Sequence, residues 1–422
     1  MTSRMYAKAL VADDGAARNL RRVMLFFAIL LSGGNLVIPR APVLVLLLLT
    51  IAVIASPIKA LRPELARVWL LLFVILLVSI IGAGAIHIEE TIIRYANFLA
   101  AIFILVVYLD LGRGEMMRDA LPIFVFFSIQ SILTPILAIF ADFLFMNFTV
   151  GETVYHTLGF IFTYHETVGE AEFIGLRRSN GFFFEPGVFQ IYLNLFLYLA
   201  LFYKRSLLLS GLAIGGVLAT QSTTGIVISF MLCGLAALDR MRRMQASSAL
   251  LFFVSAPIIL LPIAWLTYQN VVAKLFGAAA GSATARSFDA QASLLIIGEY
   301  PIFGIGFSHE RFGDEIYRFG RAIDTVLGAE ALERSITNGI LQVAVTLGIP
   351  IAIVFITALC RQRIFGNSLV VGGLLVLSMM TEPLLLTPFF LAIAFSGLLM
   401  TPQRTVARSS VPHRGHRAGA LR

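Results

Sequence analysis

R-V-W-L-L-L-F-V-I-L-L-V-S-I-I-G-A-G-A-I, residues 67–86, opens on one arginine and then runs to its end without a charged side chain. Wound as an α-helix it is about 30 Å long, the thickness of the hydrocarbon layer of a bilayer. Similar apolar runs recur along the chain from Arg22 to Met400. Composition agrees, with 59% of the 422 residues hydrophobic and 13% charged, against roughly a quarter charged in soluble domains. Lipid offers the backbone no hydrogen bonds, so each run must satisfy its own as a helix, and the alternating pattern of a membrane barrel is absent. The sequence predicts an all-α polytopic membrane protein, one integral membrane domain over 1–422 with about twelve spans. They fall at 22–38, 42–57, 67–86, 91–109, 119–146, 187–203, 206–220, 224–238, 248–267, 339–359, 367–381 and 383–400. The first follows a basic segment, as a signal peptide does, but no cleavage site follows it and further spans come at once, so it reads as a retained helix.

The formal net charge of +8 does not point to nucleic acid, because the Lys and Arg are scattered in twos and threes between apolar runs rather than interleaved with aromatics on one face. They fit the positive-inside rule instead. With the N-terminus in the cytoplasm, the clusters around Arg21, Lys59, Arg118, Lys204, Arg240 and Arg361 and the tail from Arg404 onward fall on that side, both termini included. Among the short outer loops Arg40 alone breaks the rule. Two long outer segments, 147–186 and 268–338, exceed the length of mere connections and hold most of the polar chemistry. Aromatics in the first and amphipathic stretches near 286–300 and 308–335 in the second predict a folded cap on the membrane face. The tail, 402–422, reads as a basic cytoplasmic extension attracted to anionic lipid. Cys233 and Cys360 lie far apart without metal spacing and read as packing residues. The histidines show no ligand spacing, and no metal or other cofactor is expected.

Three stretches carry candidate chemistry. In R-R-S-N-G-F-F-F-E-P-G, Arg177 to Gly187, two cations and an acid converge where Pro186 starts a helix, which places Glu185 at that helix's N-terminal end. The bland role there is a cap. In the second stretch, Ala285 to Phe307, Arg286 precedes a glycine-rich bend, P-I-F-G-I-G, that lacks the lysine and spacing of a nucleotide loop. A guanidinium such as Arg286 grips phosphate oxygens two at a time, although an ion pair with Asp289 would serve structure alone. In the third, S-I-T-N-G from Ser335, Thr337 and Asn338 enter the membrane at a helix start, and capping that helix is their bland role. Arg94 and Glu382, ionisable residues near the outer ends of helices, complete the set, with snorkelling to the interface as their bland role.

Taken in order, these stretches resemble the membrane glycan polymerases of the Wzy type and the O-antigen ligases. That superfamily shows an R-x-x-G-x-F-x-E-P segment, an S-x-x-G turn, an R-(x)n-P-x-F-G-x-G segment and a closing H-N-x-x-L-(x)6-G segment. Here Arg178 to Pro186, Ser222 to Gly225, Arg286 to Gly306 and Thr337 to Gly348 are similar. Thr337 stands where the ligases carry a functional histidine, which favours a polymerase. The resemblance implies a GT-C-like fold in the bacterial inner membrane. It also implies metal-independent, inverting transfer of glycans linked to undecaprenyl diphosphate, on the periplasmic face. Glu185 and Arg286 are then the catalytic candidates, and Arg94, Arg177, Arg178, Asn338 and Glu382 would bind substrate. Lipid-linked glycans, membrane lipid and a chain-length regulator are the expected partners. A ligase acting on a lipid A core and a transporter or flippase are the alternatives. The transporter is disfavoured because the ionisable candidates cluster at helix ends rather than at mid-membrane.

Overall fold

In the computed structural model the chain is described over residues 2–35, 38–84, 88–109, 111, 112, 114–150, 153–166, 177–242, 265, 268, 272, 280–323 and 336–400. Helices account for most of it: α1 (Thr2–Gly33), α2 (Arg40–Ile54), α3 (Ala66–Ala83), α4 (Ile88–Leu109), α5 (Glu115–Phe140), α6 (Pro186–Tyr198), α7 (Leu207–Thr220), α8 (Thr223–Met241), α9 (Ala280–Glu299), α10 (His309–Ile323), α11 (Gly339–Cys360), α12 (Ser368–Met379) and α13 (Pro388–Leu398). Eleven of the twelve expected spans fall on described helices; the span at 248–267, apart from Trp265, and the tail at 402–422 lie outside the described residues. Among the described residues six helices are long and apolar enough to cross a membrane, and four further apolar helices are shorter.

One departure from the all-helical expectation is a three-stranded antiparallel sheet, β1 (Met146–Val150), β2 (Thr153–Leu158) and β3 (Phe162–Glu166), in the order β1-β2-β3. The span expected to reach residue 146 stops at Phe140, because the chain beyond it alternates. Tyr155 and Thr157 are buried while Val154, His156 and Leu158 between them are half-buried, the period-2 pattern of a strand. The sheet occupies the start of the long segment at 147–186.

α6 and α13 are buried on nearly every face, from Val188 to Leu199 and from Pro388 to Ser396, which places them at the centre of the bundle. Both begin at the same end. The segment Pro301–Phe307 enters that bundle between α3 and α11. There α11 breaks at Gly348, whose φ of 81° and ψ of 165° are non-helical, and Pro350 has no N–H to give. The carbonyls of Val345 and Thr346 lose their helical donors and accept instead from Ile305 N and Gly306 N, each at 2.9 Å, while Ile349 N donates to Pro301 O at 2.9 Å. Irregular backbone is tolerated in a membrane protein when protein satisfies it in this way. Gly304 and Gly306, at φ of 63° and 75°, let the loop lie backbone against backbone, since a Cβ on Gly306 would strike Ser79 O and Ala83.

Several of the cations lie at the opposite end. Arg18, Arg21 and Arg22 of α1 surround the buried Asp119 of α5, Arg21 and Lys59 line one cavity, and Arg62 and Arg363 line another.

Candidate functional site

The sheet delivers the chain to the start of α6. Ser179 bridges to Tyr164 of β3, and Asn180 N donates to Thr163 O at 2.8 Å. Asn180 pins the next turn, its Nδ2 donating to Phe184 O at 2.9 Å while its Oδ1 lies 2.9 Å from His165 Nδ1. Phe183, fully buried, anchors that turn among Tyr192, Phe189 and Phe127 with ring centroids 4.9, 5.3 and 5.5 Å away. The run of three phenylalanines is thus an anchor, and it holds Glu185 in the N-cap position of α6 with Pro186 as the first helical residue.

The bland role of Glu185 as a cap is not the one it takes. Its backbone is extended, but its carboxylate accepts no hydrogen bond from the first turn of α6; it hydrogen-bonds to the carboxyl of Glu382, in the turn between α12 and α13. Glu382 is 2% exposed. Burial and then the neighbouring Glu185 carry its pKa well above the usual carboxylate range, against the opposing pull of Arg286. Arg286 of α9 reaches the same group, Nη2 to Glu382 Oε1 at 3.9 Å, with its side chain 43% exposed. That pair is long and half-solvated, so it orients more than it stabilises.

Glycines make the approach possible. A Cβ at Gly187 would overlap Glu382 Oε1, and one at Gly339 would lie 2.7 Å from Glu382 O. Asn338 holds Gly339 in place as the N-cap of α11, its Oδ1 accepting from Ile340 N and Leu341 N at 3.0 Å each. Glu185, Arg286 and Glu382, separated by nearly two hundred positions, therefore meet at one point, and Asn338 caps the helix whose first residue, Gly339, lies against Glu382.

The other expected residues make contacts of their own. Arg177 packs over the Tyr164 ring at 5.7 Å, with Arg178 half-buried beside it. Arg94 of α4 lies over Phe307 at 5.8 Å, and the charges acting on it are those of Arg40 and Glu90. Two residues were not singled out as site residues by sequence. Arg40, which begins α2, stands within range of Arg94 and beside Phe184, since a Cβ on Gly34 would sit 3.2 Å from Arg40 Nη2 and 3.7 Å from Phe184 Cδ1. Its one signal was that it broke the positive-inside rule. Tyr155 of β2 gave no signal; burial and then Glu185 raise its phenol pKa.

Two motifs prove structural. Ser222 caps α8 by accepting from Gly225 N at 3.3 Å, and Gly225 lets α8 close on Gln190 and Asn194 of α6, Asn194 Nδ2 donating to Gly225 O at 3.0 Å. The P-x-F-G-x-G segment is the inserted loop that completes α11. Among the described residues no group of three His, Cys, Asp or Glu is placed to hold a metal ion.

The architecture and site define a helical membrane protein with a paired-carboxyl, arginine-flanked centre at one end of its bundle. Residues 208–356 match the O-antigen ligase family model, Wzy_C, and in that segment the chain is similar to the polymerase and ligase superfamily. The match spans three of the four motifs and ends short of Arg178 to Pro186, the stretch that carries Glu185. No curated protein and no solved structure matches the chain.

Proposed function

We propose that this chain polymerises oligosaccharide repeats carried on undecaprenyl diphosphate into exopolysaccharide, capsule or O-antigen. The transfer inverts the anomeric centre, needs no metal and takes place on the periplasmic face of the inner membrane. The observation that carries this reading is the Glu185–Glu382 pair with Arg286 on its edge, beside the segment matched by the O-antigen ligase family.

The pair holds one proton between two carboxyls, as close like charges require. Glu382 is the buried member and Glu185 the half-exposed one, so the ionised oxygen open to substrate belongs to Glu185. A hydroxyl of one lipid-linked repeat gives its proton to Glu185 as its oxygen attacks the anomeric carbon of the other. The bond from that carbon to the diphosphate oxygen breaks with its electron pair, and the carrier departs as the diphosphate. Arg286, Arg177, Arg178, Arg94 and Arg40 supply the positive charge that stabilises the leaving group. Glu382 keeps Glu185 aimed, and Asn338 keeps Glu382 in place.

A ligase transferring finished glycan to a lipid A core is the competing reading, favoured by the description of the matching family and opposed by Thr337 in the histidine position. Deleting the gene and analysing lipid-linked glycans by gel and mass spectrometry separates them. Accumulated single repeats without polymer are expected; long lipid-linked polymer would mean a ligase, and an unchanged profile would leave the transporter.

A further inference from the structure

β1, β2 and β3 pair in a register that sets Phe148, Tyr155 and His165 opposite one another across the three strands, and cross-strand partners share a face of the sheet. Their rings pack in a row. Phe148 lies on Tyr155 with centroids 5.5 Å apart and planes at 19°, and Tyr155 on His165 at 5.7 Å. Tyr155 is buried and His165 half-buried.

From this row a path of hydrogen bonds runs to the residue before Glu185. It passes through Asn180, which is fully buried. Asn180 Nδ2 donates to Phe184 O at 2.9 Å, so Oδ1 is the end that faces His165 Nδ1, also at 2.9 Å. Turning the amide over would set Oδ1 against the Phe184 carbonyl, two acceptors with no hydrogen between them. An amide oxygen only accepts, so His165 must carry a hydrogen on Nδ1 and donate it. Phe183 N donates to Asn180 O at 3.0 Å and closes the turn. Phe184 O belongs to the peptide that joins Phe184 to Glu185, and a planar peptide held by its carbonyl fixes the direction in which the chain enters Glu185. That direction matters because Glu185, at φ of −132° and ψ of 142°, turns its carboxylate away from its own helix and onto Glu382. Tyr155 closes the arrangement from the other side, its ring against His165 and its phenol within range of the Glu185 charge.

We propose that His165 is a positioning residue for Glu185: its Nδ1 hydrogen orients the Asn180 amide, which holds the Phe184–Glu185 peptide, while the Tyr155 ring keeps the imidazole in line. Without that hydrogen the buried Oδ1 of Asn180 is left unsatisfied and the amide gains reason to turn. The role rests on Glu185 being the base of the proposed transfer, and it makes the sheet part of the site.

Two measurements on the purified full-length protein in lipid nanodiscs test it. In solid-state NMR of protein labelled with 15N-histidine at about pH 8, where an ordinary imidazole is neutral, the His165 signal should report its hydrogen on Nδ1, although free histidine prefers Nε2. The signal is assigned by its loss in His165→Phe, or in His165→Asn should the first variant fail to fold. A hydrogen on Nε2 would overturn the proposal whatever the reaction. In turnover, His165→Phe keeps a ring against Tyr155 but loses the hydrogen, and should lower kcat about tenfold while KM for the lipid-linked glycan stays within about twofold. His165→Asn puts an amide N–H on the same Cγ and should recover most of that loss; His165→Gln, whose amide lies one carbon further out, should not. Equal losses in the Phe and Asn variants, or full kcat in His165→Phe beside an inactive Glu185→Gln, would overturn the positioning role and leave the base standing. Full turnover in Glu185→Gln would remove the base and this role with it.

Discussion

Burial and the neighbouring Glu185 raise the pKa of Glu382, and the proposed mechanism then sets two pH limits. In the unfolded chain Glu382 titrates as an ordinary carboxyl, whereas in the folded protein its pKa is raised. The folded state therefore binds the extra proton between the two values, and stability falls as pH rises through the raised one. The reaction should follow a bell. Acid adds a second proton and removes the base; alkali removes the shared proton and sets two charges side by side. Glu382→Gln cannot ionise, so pH–rate profiles of the purified variant should keep the acid limb and lose the alkaline one. An alkaline limb that persists would show that another group is responsible. Glu185→Gln should lower turnover by about 100-fold or more, the scale of a lost general base, while binding of the lipid-linked donor survives. For Arg40→Gln we expect KM for that donor to rise about tenfold, as for a lost charged hydrogen bond; an unchanged KM would remove Arg40 from the site.

At the scale of elements, the glycine positions separate fold from chemistry. Gly348→Ala would place a Cβ against Ile302 O at a positive φ, where the inserted loop and the break in α11 meet. A loss of about 3 kcal/mol and a lower melting temperature are expected. Gly187→Ala would press on Glu382 Oε1 instead. Here activity should fall by much more than melting temperature, because α6 stays intact while the carboxyl pair is pushed apart. Helix positions themselves were legible, since a bilayer allows little else for a run of twenty apolar residues. The sheet was not, because strands of five and six residues between turns carry too weak an alternation to stand out beside a neighbouring apolar span.

Across the whole molecule, Arg18, Arg21, Arg22 and Arg118 gather at one end of the bundle, and Glu185, Arg286 and Glu382 at the other. Which end faces the cytoplasm is open to labelling. In a chain whose two cysteines are replaced, Lys204→Cys should react with a membrane-impermeant thiol reagent only after the inner membrane is opened, and Phe160→Cys should react before. The reverse pattern would place the carboxyl pair in the cytoplasm and end the periplasmic mechanism. Composition and run length alone determined that this is a helical membrane chain, because hydrophobic transfer depends on how much apolar surface there is and not on which residue touches which. The resemblance in motif order pointed to Glu185, Arg286, Asn338 and Glu382 one at a time. Only the tertiary structure decided that Glu185 reaches Glu382 rather than capping its own helix, and that Arg40 comes within range of Arg94. Those outcomes depend on the packing of helices far apart in sequence, with glycines removing the one atom that would keep them separate, and no local pattern records such contacts.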